Sequence, residues 1–329
     1  MKAIIQTGYG SADVLALAEI ERPQPSPGRV LVRVHAASLG AGDCLCVRGS
    51  PFPARIGIGL FSPKPDHVVG LDFAGVIGAV GVGVSGFKPG DLVYGECLGA
   101  CAEYAVASAT RIASMPSNLP FAEAAAIPTS ACTALQGLRD HGRVRPGQRL
   151  LINGAAGGVG TFAVQLGKVF GAEVTGVCSP SHVELVRGLG ADRVVDYTKE
   201  DFTIGASRYD VILDNVGNHS LSDARRALTP NGIHIPCSGR AGLGWMLRAA
   251  LDAAFVRRQS APFVGVADRE SLAALAELIE AGKLRPVIDR MYPLAQTADA
   301  VRYLDGGHAG GKVVVSMVSG NLAQSGRSR

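Results

Sequence analysis

The chain is poor in charge, in aromatic residues and in long apolar runs. Charged residues make up 18% and aromatics 5% of its 329 residues, with a single Trp. Set against 47% hydrophobic residues, so little charge excludes a disordered chain. A net charge of +4 is too small for a binder built on basic patches. The Arg225-Arg226 and Arg257-Arg258 pairs are isolated and read as solvated helix faces. No apolar run reaches the ~18 residues that a membrane span needs. The apolar stretch in MKAIIQTGYG is too short for a secretory signal. These absences predict a soluble, cytoplasmic protein. Cys-x-x-Cys is missing as well. The seven cysteines (44, 46, 97, 101, 132, 178 and 237) are odd in number and read as reduced thiols. Cys44-x-Cys46 and Cys97-x3-Cys101 lack a matching second half, so no zinc knuckle is expected.

What is abundant is glycine. There are 43, about 13% against a usual ~7%, without the three-residue period of collagen. Many tight turns and close backbone approaches follow. At 100–200 residues per domain the length predicts two domains. The first third reads as β-rich: Lys2–Gln6, Arg29–His35 and Leu92–Tyr94 are strand-like, and Val68–Val82 is apolar with Gly at 70, 75, 78 and 81. Pro23–Gly28 and Phe87–Asp91 mark turns between them. Short strands with Gly/Pro turns predict a barrel-like or sandwich domain. Beyond Asn118 the character changes. Leu119–Leu138 reads as one helix. Strand-like segments at Arg149–Asn153, Glu173–Cys178, Arg193–Asp196, Tyr209–Asp214 and Gly232–Pro236 then alternate with helical ones at Val159–Phe170, His182–Leu189 and Leu221–Leu228. That alternation predicts βαβ units on a parallel sheet. A helix is expected over Ser271–Ala281, strands at Val287 and Lys312–Val318, and a disordered tail over residues 321–329.

The stretch Gly154-Ala-Ala-Gly157-Gly158-Val-Gly160 lies between a predicted strand and a predicted helix. In that context a glycine-rich turn lets backbone N–H groups approach a dinucleotide pyrophosphate at a helix N-terminus. An enzyme that uses NAD usually carries Asp or Glu after the second strand. Here Cys178-Ser179-Pro180-Ser181-His182 has no carboxylate to repel a 2′-phosphate, and Ser179 and His182 are candidate donors to it. NADP(H) is therefore favoured over NAD(H). The alternative for His182 is a surface residue opening a helix.

With these motifs in place, the sequence resembles the medium-chain dehydrogenase/reductase superfamily, and within it the zinc-independent quinone-oxidoreductase-like branch that includes reticulon-4-interacting-protein-like members. The resemblance runs over nearly the whole chain through Pro27–Val34, Ala37–Asp43, Gly70–Val76, Gly86–Asp91, Ala102–Tyr104, Ala124–Pro128, Thr133–Gln136, Gly154–Gly160, Leu189–Asp192, Tyr209–Asp214 and Gly306–Val314. It implies an α/β protein. A GroES-like β-rich catalytic domain spans residues 1–122, and a Rossmann doubly wound parallel-sheet cofactor domain spans 123–265. A C-terminal return to the first domain covers 266–320. It also implies a homodimer.

Superfamily members that oxidise alcohols hold a catalytic zinc through positions that align here with Gly40, Leu71 and Thr129. None of these side chains is an ordinary zinc ligand, and the four-cysteine structural lobe is missing between Gly95 and Arg111. Without zinc an alkoxide is not readily stabilised. The resemblance then implies hydride transfer from NADPH to a flat, apolar quinone or to an α,β-unsaturated carbonyl. Beyond the loop with Gly154, Ala156, Gly157, Gly158, Val159 and Gly160, it implies cofactor contacts at Ser130, Thr133, Asn215, Gly217, Ser238 and Gly239, with Tyr197 on the adenosine side. Gly311 and Lys312 are a late contact, and Phe263 and Val264 would cover the nicotinamide.

Gly40 and Leu45 depart from the Asn and Tyr of many relatives, which removes the obvious proton donor and leaves solvent as its substitute. Asp43 and Arg48 are the remaining candidates for a catalytic role, against a capping carboxylate for the first and an ion pair for the second. Cys44 and Cys46 are either redox-sensitive or buried and inert, and His67 is expected at the surface. A redox sensor that binds NADPH with little turnover is the competing reading. An alcohol dehydrogenase with recruited metal would require zinc to bind. Specificity is expected in Arg48–Pro65 and in Gly239–Pro262, where Trp245, Met246, Leu247 and Phe255 form an apolar lid or helix, or a dimer contact.

Overall fold

The computed structural model describes residues 1–205, 208–237, 243–255, 262–263, 265–307 and 309–317. The expected disordered tail lies outside them.

The 11-residue strand Arg29–Leu39 organises the N-terminal domain. Its burial pattern is nearly continuous because it pairs on both edges. On one edge lies Asp72–Val80, and on the other are Tyr104–Ser108 and, further along, Lys312–Ser316. Leu92–Glu96 and Ile112–Ser114 extend the sheet beyond Asp72–Val80, and Ile288–Pro293 flanks Lys312–Ser316, giving seven strands in all. The glycines noted at 70–81 do not break this region into several turning strands. Gly75 lies within the strand, where a Cβ would stand 2.2 Å from the Arg33 carbonyl oxygen. A separate hairpin pairs Lys2–Gln6 with Leu15–Glu19.

The second domain is a five-stranded parallel sheet in the order Arg193–Asp196, Glu173–Cys178, Arg149–Asn153, Tyr209–Asp214, Leu228–Pro236. This is the doubly wound arrangement expected from the alternating pattern. Its core joins Leu150 and Ile152 to Phe162, Val164 and Leu166 of the helix Gly158–Val169.

The predicted helix over Leu119–Leu138 is broken. Phe121–Ala125 ends, Pro128 opens a second helix to Gln136, and Gly137–His141 closes it with a π-helical turn. Pro128 lacks the N–H that a continuous helix would need there. Two helices escaped the sequence reading altogether, Ala41–Arg48 and Thr297–Asp305. The segment read as a lid, a helix or a dimer contact contains the helix Leu243–Phe255. The predicted C-terminal helix spans Arg269–Glu280. No described helix is long and apolar enough to cross a membrane.

The return of the chain is secured at two places. Lys312–Ser316 zips onto Leu39–Ala36, and the fully buried Tyr94 donates its hydroxyl to the Leu272 carbonyl at 2.6 Å. Replacing Tyr94 with Phe removes one buried hydrogen bond while keeping the ring. The expected loss is about 1 kcal/mol, read as a lower midpoint in urea denaturation with an unchanged slope. An unchanged midpoint would show that this tie does not stabilise the return.

Candidate active site

The parallel sheet reverses its order between Arg149–Asn153 and Tyr209–Asp214. A cleft of about 520 Å³ opens at the carboxyl ends of these strands, the place where doubly wound sheets take their ligands. Gly154 leaves the first strand with φ +79°, and Gly157 caps the helix Gly158–Val169 with no side chain to satisfy its first N–H groups. A Cβ on Gly160 would stand 2.1 Å from the Gly154 carbonyl oxygen. The turn can therefore close only on glycine, and the free helix terminus points its positive end at the cleft.

Beside this cradle Asn153 donates to Asp214 Oδ1 at 2.8 Å and to Asn218 Oδ1 at 2.9 Å. Asp214 also accepts the N–H groups of Gly217 and Val216. Burial pushes its pKa up, but the His234 ring and these N–H groups outweigh burial and hold it below the ordinary carboxylate range. The network fixes the backbone that turns at Asn215. The Asn215 amide nitrogen donates to the Asn153 carbonyl, while its buried Oδ1 has no partner among the described residues. An orphaned acceptor next to a glycine cradle and a helix N-terminus fits a dinucleotide with hydroxyls to donate and phosphates to receive.

One end of the cleft is formed by Ser179, His182 and the half-exposed Tyr197. Ser179 Oγ lies 2.9 Å from His182 Nδ1, and no carboxylate is among the cleft-lining residues. The opposite end is formed by Gly40, Ser130 and Lys312. The cradle is the pyrophosphate position and Tyr197 lies beyond the second strand, so this far end is where a nicotinamide would lie.

Thirteen expected contacts line this one cleft: Ser130, Gly154, Ala156, Gly157, Gly158, Val159, Gly160, Ser179, His182, Tyr197, Asn215, Gly311 and Lys312. Thr133 lies behind it, bonded to the Thr129 carbonyl and covered by Gly265. Gly217 belongs to the Asp214 turn. Phe263 is not among the lining residues. It stacks on His141 with centroids 4.1 Å apart, over the space left by Gly137. Ser238, Gly239 and Val264 lie outside the described residues. Asn153, Asn218 and Leu304 line the cleft without having been expected. Asn153 carried a signal, as the one polar residue closing an apolar strand before a glycine.

Neither candidate for a catalytic role lines the cleft. Arg48 pairs with Asp305 at 2.5 Å, joining the helices Ala41–Arg48 and Thr297–Asp305. The ion-pair alternative describes it. Asp43 sits behind Gly40 and accepts its N–H at 2.8 Å. Burial pushes its pKa up to about 7; the Asp72 carboxylate adds to the rise, and the Gly40 N–H and Lys312 oppose it. His67, expected at the surface, is half-buried and shares a small cavity with Asp43.

The positions aligned with zinc ligands do not fit zinc. Gly40 has no side chain and Leu71 offers only methyls. Thr129 donates both its N–H (3.0 Å) and its hydroxyl (2.5 Å) to Asp72 Oδ1. The other Asp72 oxygen holds the Lys312 ammonium at 3.0 Å, both side chains 3% exposed. The Asp72 carboxylate beside Leu71 is thus already neutralised by an ammonium. Among the described residues no three His, Cys, Asp or Glu side chains gather as a metal site.

No disulfide joins the described cysteines. Burial raises Cys46 and Cys178 to about 11 and moves Cys97, Cys101, Cys132 and Cys237 further up. These are inert, protonated thiols at neutral pH.

Comparison with known proteins gives matches over both halves. Residues 26–135 match the alcohol dehydrogenase GroES-like domain, and residues 189–315 match the zinc-binding dehydrogenase family. A 2-methylene-furan-3-one reductase of Solanum lycopersicum is 36% identical, covering 96% of this chain and 79% of the relative. An NADPH-dependent alkenal/one oxidoreductase of Arabidopsis thaliana, a chloroplastic protein, is 35% identical with the same coverage. The structure of the quinone oxidoreductase from Coxiella burnetii superposes with a TM-score of 0.87 at 30% identity, over 97% of this chain and 99% of that one.

Two measurements probe this geometry. Replacing Gly160 with Ala forces the Gly154 carbonyl to move, and NADPH affinity should fall by at least about tenfold in a fluorescence titration. Unaltered affinity would separate the loop from cofactor binding. The second concerns Asp43. Its pKa is 3.8 when unperturbed and about 7 in the fold, so between those values the folded protein binds more protons than the unfolded chain. Its contribution to stability is full below about 4 and is lost as pH rises through 7. Replacing Asp43 with Asn keeps an acceptor for the Gly40 N–H. The variant should gain stability relative to the parent between pH 5 and pH 8, read by urea denaturation, and a constant difference would refute the buried acid.

Proposed function

The chain belongs to the medium-chain dehydrogenase/reductase superfamily, and from that premise we propose that it is a zinc-independent reductase that uses NADPH to reduce quinones or α,β-unsaturated ketones and aldehydes. The observation that carries the reading is the far end of the cleft. There an ammonium held by a carboxylate replaces a metal donor set. Such a site is suited to acceptors that delocalise their own charge once reduced, as a quinone does over its ring and an enone over its enolate. The names of the relatives, an alkenal/one oxidoreductase and a furanone reductase among them, point to the same acceptors.

When bound, NADPH supplies the hydride. The protein's own residues position and shield the reactants. Gly154, Gly157 and Gly160 allow the backbone to approach the pyrophosphate, and the Gly158–Val169 helix terminus faces its charge. Ser179 and His182, with no carboxylate beside them, favour the 2′-phosphate. Asn215 offers its free oxygen to a hydroxyl. Leu39 and Ala41 give the nicotinamide end an apolar wall next to Gly40, which suits a flat acceptor and excludes water. The protonated thiols weigh against a redox sensor. Cysteines that form no disulfide among the described residues support a reducing compartment such as the cytoplasm. Family resemblance supports a homodimer and the domain divisions at 122 and 265.

The test is cofactor oxidation against an ortho-quinone, a para-quinone, an enal, an enone and a saturated aldehyde. Turnover is expected with the conjugated acceptors and absent with the saturated aldehyde. NADPH should be preferred to NADH by at least about tenfold. Turnover of the saturated aldehyde with stoichiometric zinc would instead establish an alcohol dehydrogenase. Tight NADPH binding without any turnover would establish a sensor.

A further inference from the structure

The Lys312 ammonium is buried, and its hydrogen bonding is incomplete. Its only hydrogen bond among the described residues is to Asp72 Oδ2. An ammonium carries three donors, so two N–H groups have no acceptor among the described residues. A group 3% exposed that leaves two charged donors unsatisfied is costly unless a ligand receives them. The side chain lies on the wall of the cleft at its nicotinamide end. Its Cδ is 3.0 Å from where a Cβ on Gly158 would stand, and its Nζ is 3.6 Å from where a Cβ on Gly40 would stand. A side chain at position 40 would therefore begin in contact with the ammonium and cover it. Glycine at that position is what opens Lys312 to the cleft.

We propose that Lys312, uncovered by Gly40, donates a hydrogen bond to the carbonyl oxygen of the acceptor and stabilises the oxyanion formed there on reduction. This rests on the reading of the chain as an NADPH-dependent enone or quinone reductase. In that reaction the hydride forms a C–H bond at the β-carbon of an enone, and the π electrons move onto oxygen as an enolate. For a quinone the pair settles on oxygen as the hydroquinone anion. The Lys312 N–H stays bonded to nitrogen throughout, and solvent supplies the proton that completes the product. Asp72 keeps the ammonium in place from behind, with its second oxygen fixed by Thr129. The donor is thereby aimed before charge develops, which is the condition under which such a group accelerates reaction. The inference also assigns a ligand class to the far end of the cleft, namely planar conjugated acceptors with an oxygen able to carry the displaced electron pair.

The test begins at position 40, because its backbone (φ −142°, ψ −174°) suits any residue and a Cβ there meets only ordinary contact. Gly40→Ala and Gly40→Val are compared with the parent for reduction of an enone, of a para-quinone and of a phenothiazinium dye. The dye accepts a hydride without forming an oxyanion. The expected result is a fall in kcat/KM of about tenfold for Ala and about a hundredfold for Val with the enone and quinone. NADPH affinity should stay within about threefold, and the loss with the dye should be smaller than the loss with either carbonyl acceptor by at least about tenfold. Lys312→Met alone would leave Asp72 buried and unpaired, so the second variant is the pair Asp72→Asn with Lys312→Met. It should lose about 10²–10³ in kcat with both carbonyl acceptors, well beyond any loss of NADPH affinity. Unchanged carbonyl reduction in the position-40 variants would overturn the proposal. So would a loss matched by an equal loss of NADPH affinity, which would make Lys312 a cofactor holder only. No turnover by the parent with any acceptor would end the underlying reading as well.

Discussion

A buried ion pair holds the molecule in its working arrangement. Asp72 and Lys312 lie 240 positions apart in the chain and 3.0 Å apart in the fold. Removing two ions from water costs several kcal/mol for each, and only a well-made contact offsets that. Asp72 is supplied with such a contact on both oxygens, by Lys312 on one and by Thr129 on the other. The three residues come from a strand of the first sheet, from the returning strand and from the helix opened by Pro128. If Asp72 or Lys312 moved away, a bare charge would be left in the interior, and without Thr129 one carboxylate oxygen would lose both of its donors. The same lysine presses its methylenes against Gly158, at the start of the cofactor helix. The return of the chain, the floor of the cleft and the placement of the glycine cradle therefore depend on one contact.

How much of this was legible in the sequence depended on distance along the chain. The cradle from Gly154 to Gly160 was readable because its requirements are local. One turn, one helix terminus and one preceding strand define it. The order of the parallel strands follows from the same alternating pattern. The absence of a carboxylate after the second strand could be read because Ser179 and His182 follow that strand directly. Contacts between distant segments could not be read in this way. Nothing near Arg48 announces Asp305, and nothing near Phe263 announces that His141 and Gly137 offer its ring a flat seat. Lys312 was placed near the cofactor by resemblance alone. Nothing near Asp72 announces that a lysine 240 positions away is its partner.

The errors in the helices have the same origin. Residues 119–138 are rich in Ala and Leu, and composition alone favours one helix. A missing N–H at Pro128 decides otherwise. Thr297–Asp305 has a short apolar face, Ala300, Val301 and Leu304, that is buried only because the first domain's core is waiting for it. A helix of nine residues has little stability of its own, so packing creates it and the sequence shows only a faint period. The expectation of a surface His67 failed for a related reason. A loop residue is usually exposed, but this loop folds over Asp43 and leaves a small cavity that the imidazole lines.

The absence of side chains at two glycines has opposite meanings in this fold. At Gly160 the space is already filled by the Gly154 carbonyl, and any larger residue is excluded by contact. At Gly40 the backbone is extended and the space is open, so a larger residue would be accepted there. Sequence alone presents both as glycine, and position 40 reads as the loss of a hydrogen-bonding side chain. The structure shows what that loss exposes. A cation already fixed by Asp72 lines the cleft with donors unspent among the described residues, and a carboxylate–ammonium pair assembled to secure the fold holds a positive charge at the end where reduction would create a negative one. An ammonium in that position favours oxygen that gains charge through conjugation and gives an unactivated alcohol no metal to bind.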